Sequence, residues 1–299
     1  MHVIVHGGAG GVPDDPEPRQ RVLDEAAETG AARSTPLDAV ESAVKVLESN
    51  GRFNAGVGGA VQSDGVVRTD AGVMTDARAV GAVASVPGVE HAVSAARVVM
   101  EETPHVFVAG ERAAALAEDF GVETGVDLLT ERSRERWAEA DPPGRELGPK
   151  AHLAWLRERW GRHDSAEGES AARDPTDHDT VGAVATDGEA FAAATSTGGR
   201  WFALAGRVGD VPQVGSGFYC APAGGASATG SGEDIARVTL SRRAVSHLER
   251  GLDAQRAAEL AIEEFGELTG SEAGVIVLDR DGAGSAYNSD GMQTSVARS

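Results

Sequence analysis

Two threonine-bearing runs dominate the second half of the chain: Thr180-Val181-Gly182-Ala183-Val184, then Thr195-Ser196-Thr197-Gly198-Gly199. A threonine hydroxyl inside a chain is a weak nucleophile unless a base stands beside it. At a chain start it carries its own base, because the adjacent α-amine has a pKa of about 7.7–8.0. Thr180 would gain that amine if the chain cut itself between Asp179 and Thr180, leaving residues 1–179 and 180–299 as separate segments. The same small, β-branched run also suits an ordinary β-strand. The residues before it favour a cut. Arg162 to His178 is rich in Asp, Glu, Ser and Ala and almost free of large apolar side chains, so 162–178 reads as a solvated, mobile linker ending at Asp179.

Other chemistries find less support. Cys220 is the lone cysteine, which rules out an internal disulfide and fits a reducing compartment. No His/Cys/Asp group has zinc spacing, so no catalytic metal and no cofactor are expected. Gly7-Gly8-Ala9-Gly10-Gly11 follows an alternating strand, yet matches neither the dinucleotide nor the P-loop pattern. It reads instead as backbone passing close to something that tolerates no side chains. The formal charge is −20. No dense basic run interrupts it, so nucleic acid is not an expected partner. No apolar run is long enough to cross a bilayer. Met1 to His6 lacks the basic and long apolar regions of a signal peptide, and a cytoplasmic location is expected.

The elements that must hold these residues follow from pattern. His2–His6 alternates as a strand. Helices are expected over Pro16–Gly30 and from Pro36 to Gly51, the second capped by Thr35 with Pro36 at its first position. Ala60–Asp70 reads as a hairpin about Asp64-Gly65, Ala79–Val86 as a buried strand, and His91–Glu101 and Gly110–Phe120 as helices around a short strand at Val106–Val108. Beyond Val126 the chain turns polar, with helices at Glu131–Glu139 and Lys150–Trp160. Thr180–Thr186 and Phe191–Thr195 form a hairpin about Asp187-Gly188. Gly206–Asp210 is a charged turn, Gly215–Ala221 a strand and Ser227–Glu233 a glycine loop. Helices over Asp234–Glu249 and Ala254–Phe265 follow, then a last hairpin about Asp281-Gly282. Strands, helices and strands in each half predict an α+β fold, with two sheets face to face and helices outside.

Taken in order, Thr180–Val184, Thr195–Gly199, Gly206-Arg207-Val208-Gly209-Asp210 and Thr229-Gly230-Ser231-Gly232-Glu233 resemble the plant-type L-asparaginase and isoaspartyl peptidase family. His6-Gly7-Gly8-Ala9-Gly10, Phe53-Asn54-Ala55-Gly56 and Met100 to Val106 add to the likeness, which spans all but about Val126–His178. The resemblance implies a four-layer αββα sandwich of the N-terminal nucleophile hydrolase type, one domain built from an α chain (1–179) and a β chain (180–299). It implies self-cleavage at Asp179–Thr180, with Thr180 as nucleophile, Thr197 bonded to its hydroxyl or amine, and Thr229 with the Gly230 amide as oxyanion hole. Arg207 and Asp210 would hold the α-carboxylate and α-amine of an L-aspartyl group, Gly232 would contact substrate through its backbone, and Asn54 would orient Thr180. The loop Leu47–Val57 resembles one that wraps sodium through carbonyl oxygens.

Asp179 departs from the glycine that many of the family carry before the threonine, and matches the glycosylasparaginase branch. Gly198-Gly199 matches the asparaginase branch. The expected activity is therefore hydrolysis of L-asparagine and β-aspartyl dipeptides by a homodimer of αβ units, with glycosylasparaginase, or an uncut binding protein on the same fold, as alternatives. The acidity speaks of habitat: Lys45 and Lys150 are the lysines, the remaining cations are arginines, and self-repulsion of this size eases where salt screens it. Thermal melting should therefore move upward in molar potassium chloride; a melting temperature that stays level or falls with salt would refute a salt-adapted protein.

Overall fold

The structure, a computed structural model, describes residues 1–13, 15–160 and 180–299. The linker expected over 162–178, and Asp179 at the expected cut, lie outside the described residues. In the first segment come β1 (His2–Gly10), α1 (Pro16–Ala31), α2 (Pro36–Glu48), β2 (Arg68–Thr75), β3 (Val80–Pro87), α3 (Ala92–Glu102), β4 (Phe107–Ala109), α4 (Gly110–Asp119), α5 (Glu131–Glu139) and α6 (Pro149–Trp160). In the second come β5 (Val181–Thr186), β6 (Phe191–Thr197), β7 (Phe218–Ala221), β8 (Gly224–Gly230), α7 (Gly232–Val238), α8 (Leu240–Glu249), α9 (Ala254–Thr269), β9 (Ala273–Leu278), β10 (Ala283–Tyr287) and β11 (Gly291–Arg298).

Strand alternation builds the layers. Along β1, Val3 and Val5 join the core under the first helices, while Ile4 between them joins the core between the sheets. Ala183 and Val184 of β5 divide the same way, as a period of two requires. The larger sheet runs β11-β1-β5-β6-β2-β3-β4, so strands from both sides of position 180 interleave in it. Its outer face carries α1–α4 through a core of valine and alanine. The smaller sheet, β10-β9-β8-β7, is covered by α8 and α9 through Ala226, Ala228, Val275 and Phe265. Between the sheets lie Ile4, Met74, Val184, Phe191, Phe218, Ile276 and Leu278. This is the expected αββα sandwich. No described helix is long and apolar enough to cross a membrane.

Local expectations fail where sheet pairing overrides composition. Ser227–Gly230 is the end of strand β8 rather than a glycine loop; Gly224–Gly230 has few β-formers, but β7 and β9 pair with it on both sides. The Ala60–Asp70 hairpin reduces to one bridge, Val61 to Val67, and the chain enters β2 at Arg68 instead. The helix expected over Asp234–Glu249 breaks at Thr239, which is left-handed at φ 53°. Strand β11, absent from the sequence reading, returns to pair with β1. The Thr35 cap is as expected, its Oγ1 accepting the Asp38 amide at 3.2 Å.

Sheet contact is closest where side chains vanish. A Cβ on Gly72 of β2 would stand 1.9 Å from the Phe218 ring. Gly72→Ala should therefore cost about 1–3 kcal/mol through overpacking, read as a lower urea midpoint with unchanged slope; an unchanged midpoint would contradict so tight an approach.

Candidate active site

Thr180, Thr197 and Thr229 come together because alternation turns all three inward at one end of the sandwich. Thr180 precedes β5 in step with Gly182 and Val184. Thr197 is in step with Thr195 on β6, and Thr229 with Ser227 on β8. The inward set is fixed by a buried network: His6 Nε2 meets Ser227 Oγ at 2.8 Å, Ser227 Oγ meets Thr195 Oγ1 at 2.6 Å, and Thr195 Oγ1 reaches the Gly217 carbonyl at 2.9 Å. Gly182 makes room for it, since a Cβ there would lie 2.0 Å from Ser227 Oγ and 2.5 Å from His6 Nε2. Burial pushes the His6 imidazole down to about 3, against a weaker upward pull from the Thr180 main chain. The ring is therefore neutral at working pH and acts as a dipole, not a charge.

Thr180 is buried, and its Oγ1 donates to Thr197 Oγ1 at 3.4 Å. That is long for a hydroxyl pair, as is common before substrate draws a site together. Thr197 Oγ1 in turn accepts the Gly199 amide at 3.0 Å and lies 3.4 Å from the Asn54 carbonyl. Asn54 locks this corner. Its Nδ2 donates to the Gly199 carbonyl at 2.6 Å, its Oδ1 accepts the Ala60 amide at 2.7 Å, and its carbonyl accepts the Gly198 amide at 2.8 Å. Behind Thr197, the buried Glu48 carboxylate accepts Ser196 Oγ at 2.6 Å and the Val93 amide at 3.0 Å, tying β6 to the ends of α2 and α3.

Thr229 reaches the same end through β1. His6 pairs with Gly182, so the residues after it come level with Thr180. There the Ala9 amide donates to Thr229 Oγ1 at 3.3 Å. Gly230, at φ 133°, admits no side chain: a Cβ would lie 2.6 Å from Ala273 Cα and from the Glu272 carbonyl. The bare backbone suits a donor that a reacting oxygen must approach closely.

Arg207 and Asp210 lie side by side. A Cβ on Gly232 would stand 2.6 Å from Asp210 Oδ1 and 3.0 Å from Arg207 Nη2, so both point at the space beside that glycine. Arg207 also grips Glu233 with both arms, Nε to Oε1 at 2.9 Å and Nη2 to Oε2 at 2.8 Å. Burial would raise the Glu233 carboxyl, but the two Arg207 bonds and charge outweigh it and hold it at about 2. Burial pushes Asp210 up to about 7; Arg207 opposes this, while Glu233 and Asp70 add to it. Among the described residues Asp210 Oδ2 has no hydrogen-bond partner. A buried carboxylate with one open lone-pair face, beside a guanidinium, is matched to the ammonium and carboxylate of an amino acid. Glu233 stood in the motif without a role; its pairing with Arg207 is the function that sequence reasoning missed. The acidic residue directly after the glycines was the available signal.

In the Leu47–Val57 loop the backbone packs closely: the Glu48 carbonyl accepts the Val57 amide at 2.8 Å, a Cβ on Gly56 would lie 2.2 and 2.7 Å from the Glu48 and Glu90 carbonyls, and one on Gly58 would lie 2.9 and 3.0 Å from those of Gly51 and Phe53. Among the described residues no group of three or more His, Cys, Asp or Glu side chains could hold a metal ion.

Comparison with known proteins points the same way. A family model described as Asparaginase matches residues 1–299. The chain is 39% identical to a plant-type L-asparaginase of Pyrococcus furiosus, over 97% of this chain and 94% of that one. It is 38% identical to that of Thermococcus kodakarensis over the same shares. With an isoaspartyl peptidase/L-asparaginase of Danio rerio the identity is 37%, over 95% of this chain and 87% of the relative.

The electrostatics give a pH signature. With its pKa raised from 3.8 to about 7, folded Asp210 holds a proton that the unfolded chain has lost, so its contribution to stability falls as pH rises across that window. In an uncut Thr180→Ala background, Asp210→Asn should gain stability relative to its parent from pH 4 to 7 and level off above. A difference that is flat with pH would contradict a buried, proton-holding Asp210.

Proposed function

The chain belongs to the asparaginase family, and from that premise we propose how its residues hydrolyse the side-chain amide of L-asparagine and cleave β-aspartyl dipeptides. The enzyme is a self-activating amidohydrolase of the N-terminal nucleophile type. The observation that carries the residue assignment is the convergence of Thr180, Thr197 and Thr229 at the Arg207–Asp210 end of the sandwich. In activation, Thr180 Oγ1 attacks the Asp179 carbonyl, the peptide nitrogen leaves as the Thr180 amine, and water hydrolyses the resulting ester. The freed amine then takes the Thr180 hydroxyl proton as Oγ1 attacks the β-carbonyl of the substrate. Thr229 and the Gly230 amide face the oxyanion that forms; one such donor is worth about 3–4 kcal/mol. The leaving amine departs with the proton from the Thr180 ammonium. Water, deprotonated by the same amine, releases L-aspartate from the threonyl ester.

Arg207 takes the α-carboxylate, Asp210 the α-ammonium, and Gly232 leaves room for both. Thr197 holds the Thr180 hydroxyl and Asn54 holds Thr197. Sodium, where bound, would be held by backbone carbonyls of the Leu47–Val57 loop, which carries Asn54. A homodimer of αβ units and a cytoplasmic location belong to the same proposal.

Purified protein should release ammonia from L-asparagine and leucine from β-aspartyl-leucine well above any release of sugar from glycosyl-asparagine. Thr180→Ala should lose roughly 10⁴-fold or more of both activities. Faster turnover of glycosyl-asparagine would reassign the leaving group, and an active Thr180→Ala protein would overturn the nucleophile.

A further inference from the structure

Asp70 belongs to none of the motifs above, yet it is buried to 2% exposure among the clamp residues. It lies on β2, in step with Gly72, whose absent side chain meets Phe218, and with Met74 in the core between the sheets. Its side chain therefore faces inward. Across the β2–β6 pairing it stands opposite Thr197, and directly opposed residues share a face with Cβ atoms about 4.5–5.5 Å apart. On the other flank the β2–β3 register slips between Thr69 and Ala71. Ala84 and Ser85 there oppose the single residue Asp70, and Ser85 is left-handed at φ 54°. The slip ejects the Ser85 amide from the ladder, and Asp70 Oδ1 accepts it at 2.6 Å. The main chain of Gly209, between Val208 and Asp210 in the 206–210 turn, and the Arg207 charge both act on Asp70 to favour its ionised form.

We propose that Asp70 is the positioning residue of the substrate clamp: held in place by the Ser85 amide, with its charge acting on Arg207 and the Gly209 main chain, it anchors the 206–210 turn against β2 and β3 and sets the separation of Arg207 and Asp210. This rests on the reading of that pair as the holder of the L-aspartyl head. A carboxylate suits this place because both of its oxygens accept and it brings a negative charge; an asparagine removes that charge and can turn an N–H₂ against an amide. Its charge matters too. Asp70, Asp210 and Glu233 surround Arg207, with Arg200 beyond Glu233. The clamp is thus short of positive charge until the substrate's ammonium arrives, and Asp70 favours substrates that bring one. Burial, against the Ser85 amide, the Arg207 charge and the Gly209 main chain, lifts Asp70 itself to about 7.

The test compares Asp70→Asn and Asp70→Glu with the parent, using L-asparagine and succinamate, its analogue without the α-amine. For Asp70→Asn, KM for L-asparagine should rise about 10–100-fold, as for loss of a hydrogen bond to a charged group. Its kcat should stay within about threefold. The preference for L-asparagine over succinamate should shrink by a similar factor to KM, and the acid limb of 1/KM should move to lower pH, because Asp210 loses a negative neighbour. Asp70→Glu keeps the charge but displaces it, and should raise KM while leaving the acid limb in place. Unchanged KM and preference with only a lower melting temperature would reduce Asp70 to a cap on the strand slip and overturn the proposal, as would a loss confined to kcat. If Asp70→Asn does not fold, a parental KM in Asp70→Glu overturns it equally. A parent that shows no preference over succinamate would instead sink the clamp reading itself.

Discussion

The seam between the two sheets is the constraint on which the rest depends. Every second residue of each inner strand must enter it, and most of those are apolar. At one end the entries change to His6, Thr180, Thr195, Thr197, Ser227 and Thr229. A polar patch there is stable only if its members largely satisfy one another; His6 Nε2, Ser227 Oγ and Thr195 Oγ1 do so with bonds of 2.6–2.8 Å, while His6 Nδ1 has no hydrogen-bond partner among the described residues. Gly182 is the vacancy that lets that chain close. A side chain at this one position would push the sheets apart at the level of Thr180.

The same seam explains how a hydroxyl can be aimed without a separate catalytic base. Thr180 sits one residue before β5, where the strand's hydrogen bonds hold its backbone and Thr197 and Asn54 hold its surroundings. In the proposed mechanism, proximity then supplies the base from within the residue. The charged clamp beside it is built on other terms. Arg207 is the cation amid three buried or half-buried carboxylates, and Glu233 alone keeps an undisputed charge through its two-armed bond. Asp70 and Asp210 compete for the remaining positive field, which on the proposed reading suits a ligand carrying its own ammonium.

Much of this was legible in the sequence. The β5–β6 hairpin, the capped α2 and the sandwich itself follow from alternation and turn residues, and the motif residues Thr180, Thr197, Arg207, Asp210 and Thr229 were picked out by the resemblance of their runs to the asparaginase family. What stayed hidden is pairing. Gly224–Gly230 looks like a loop because glycine and alanine carry no β signal; only the neighbours β7 and β9 make it a strand. Strand β11 is half polar, and its place beside β1 depends on a return across the whole chain. Asp70 was invisible for a related reason: an aspartate within Arg68–Thr75 gains meaning only from a slip in β3 and from a turn over a hundred residues away. Thr239 likewise gives no local hint that it breaks a helix.

The central claim is that Thr180 works through an amino group it acquires by cleavage. N-terminal sequencing of the catalytically active fraction, with intact mass measured on the same sample, tests it most directly. The account predicts two N-termini in that fraction, one of them reading Thr-Val-Gly-Ala, and a mass for each segment consistent with a break at 179–180. Full activity in molecules whose only N-terminus is that of the uncut chain would contradict it.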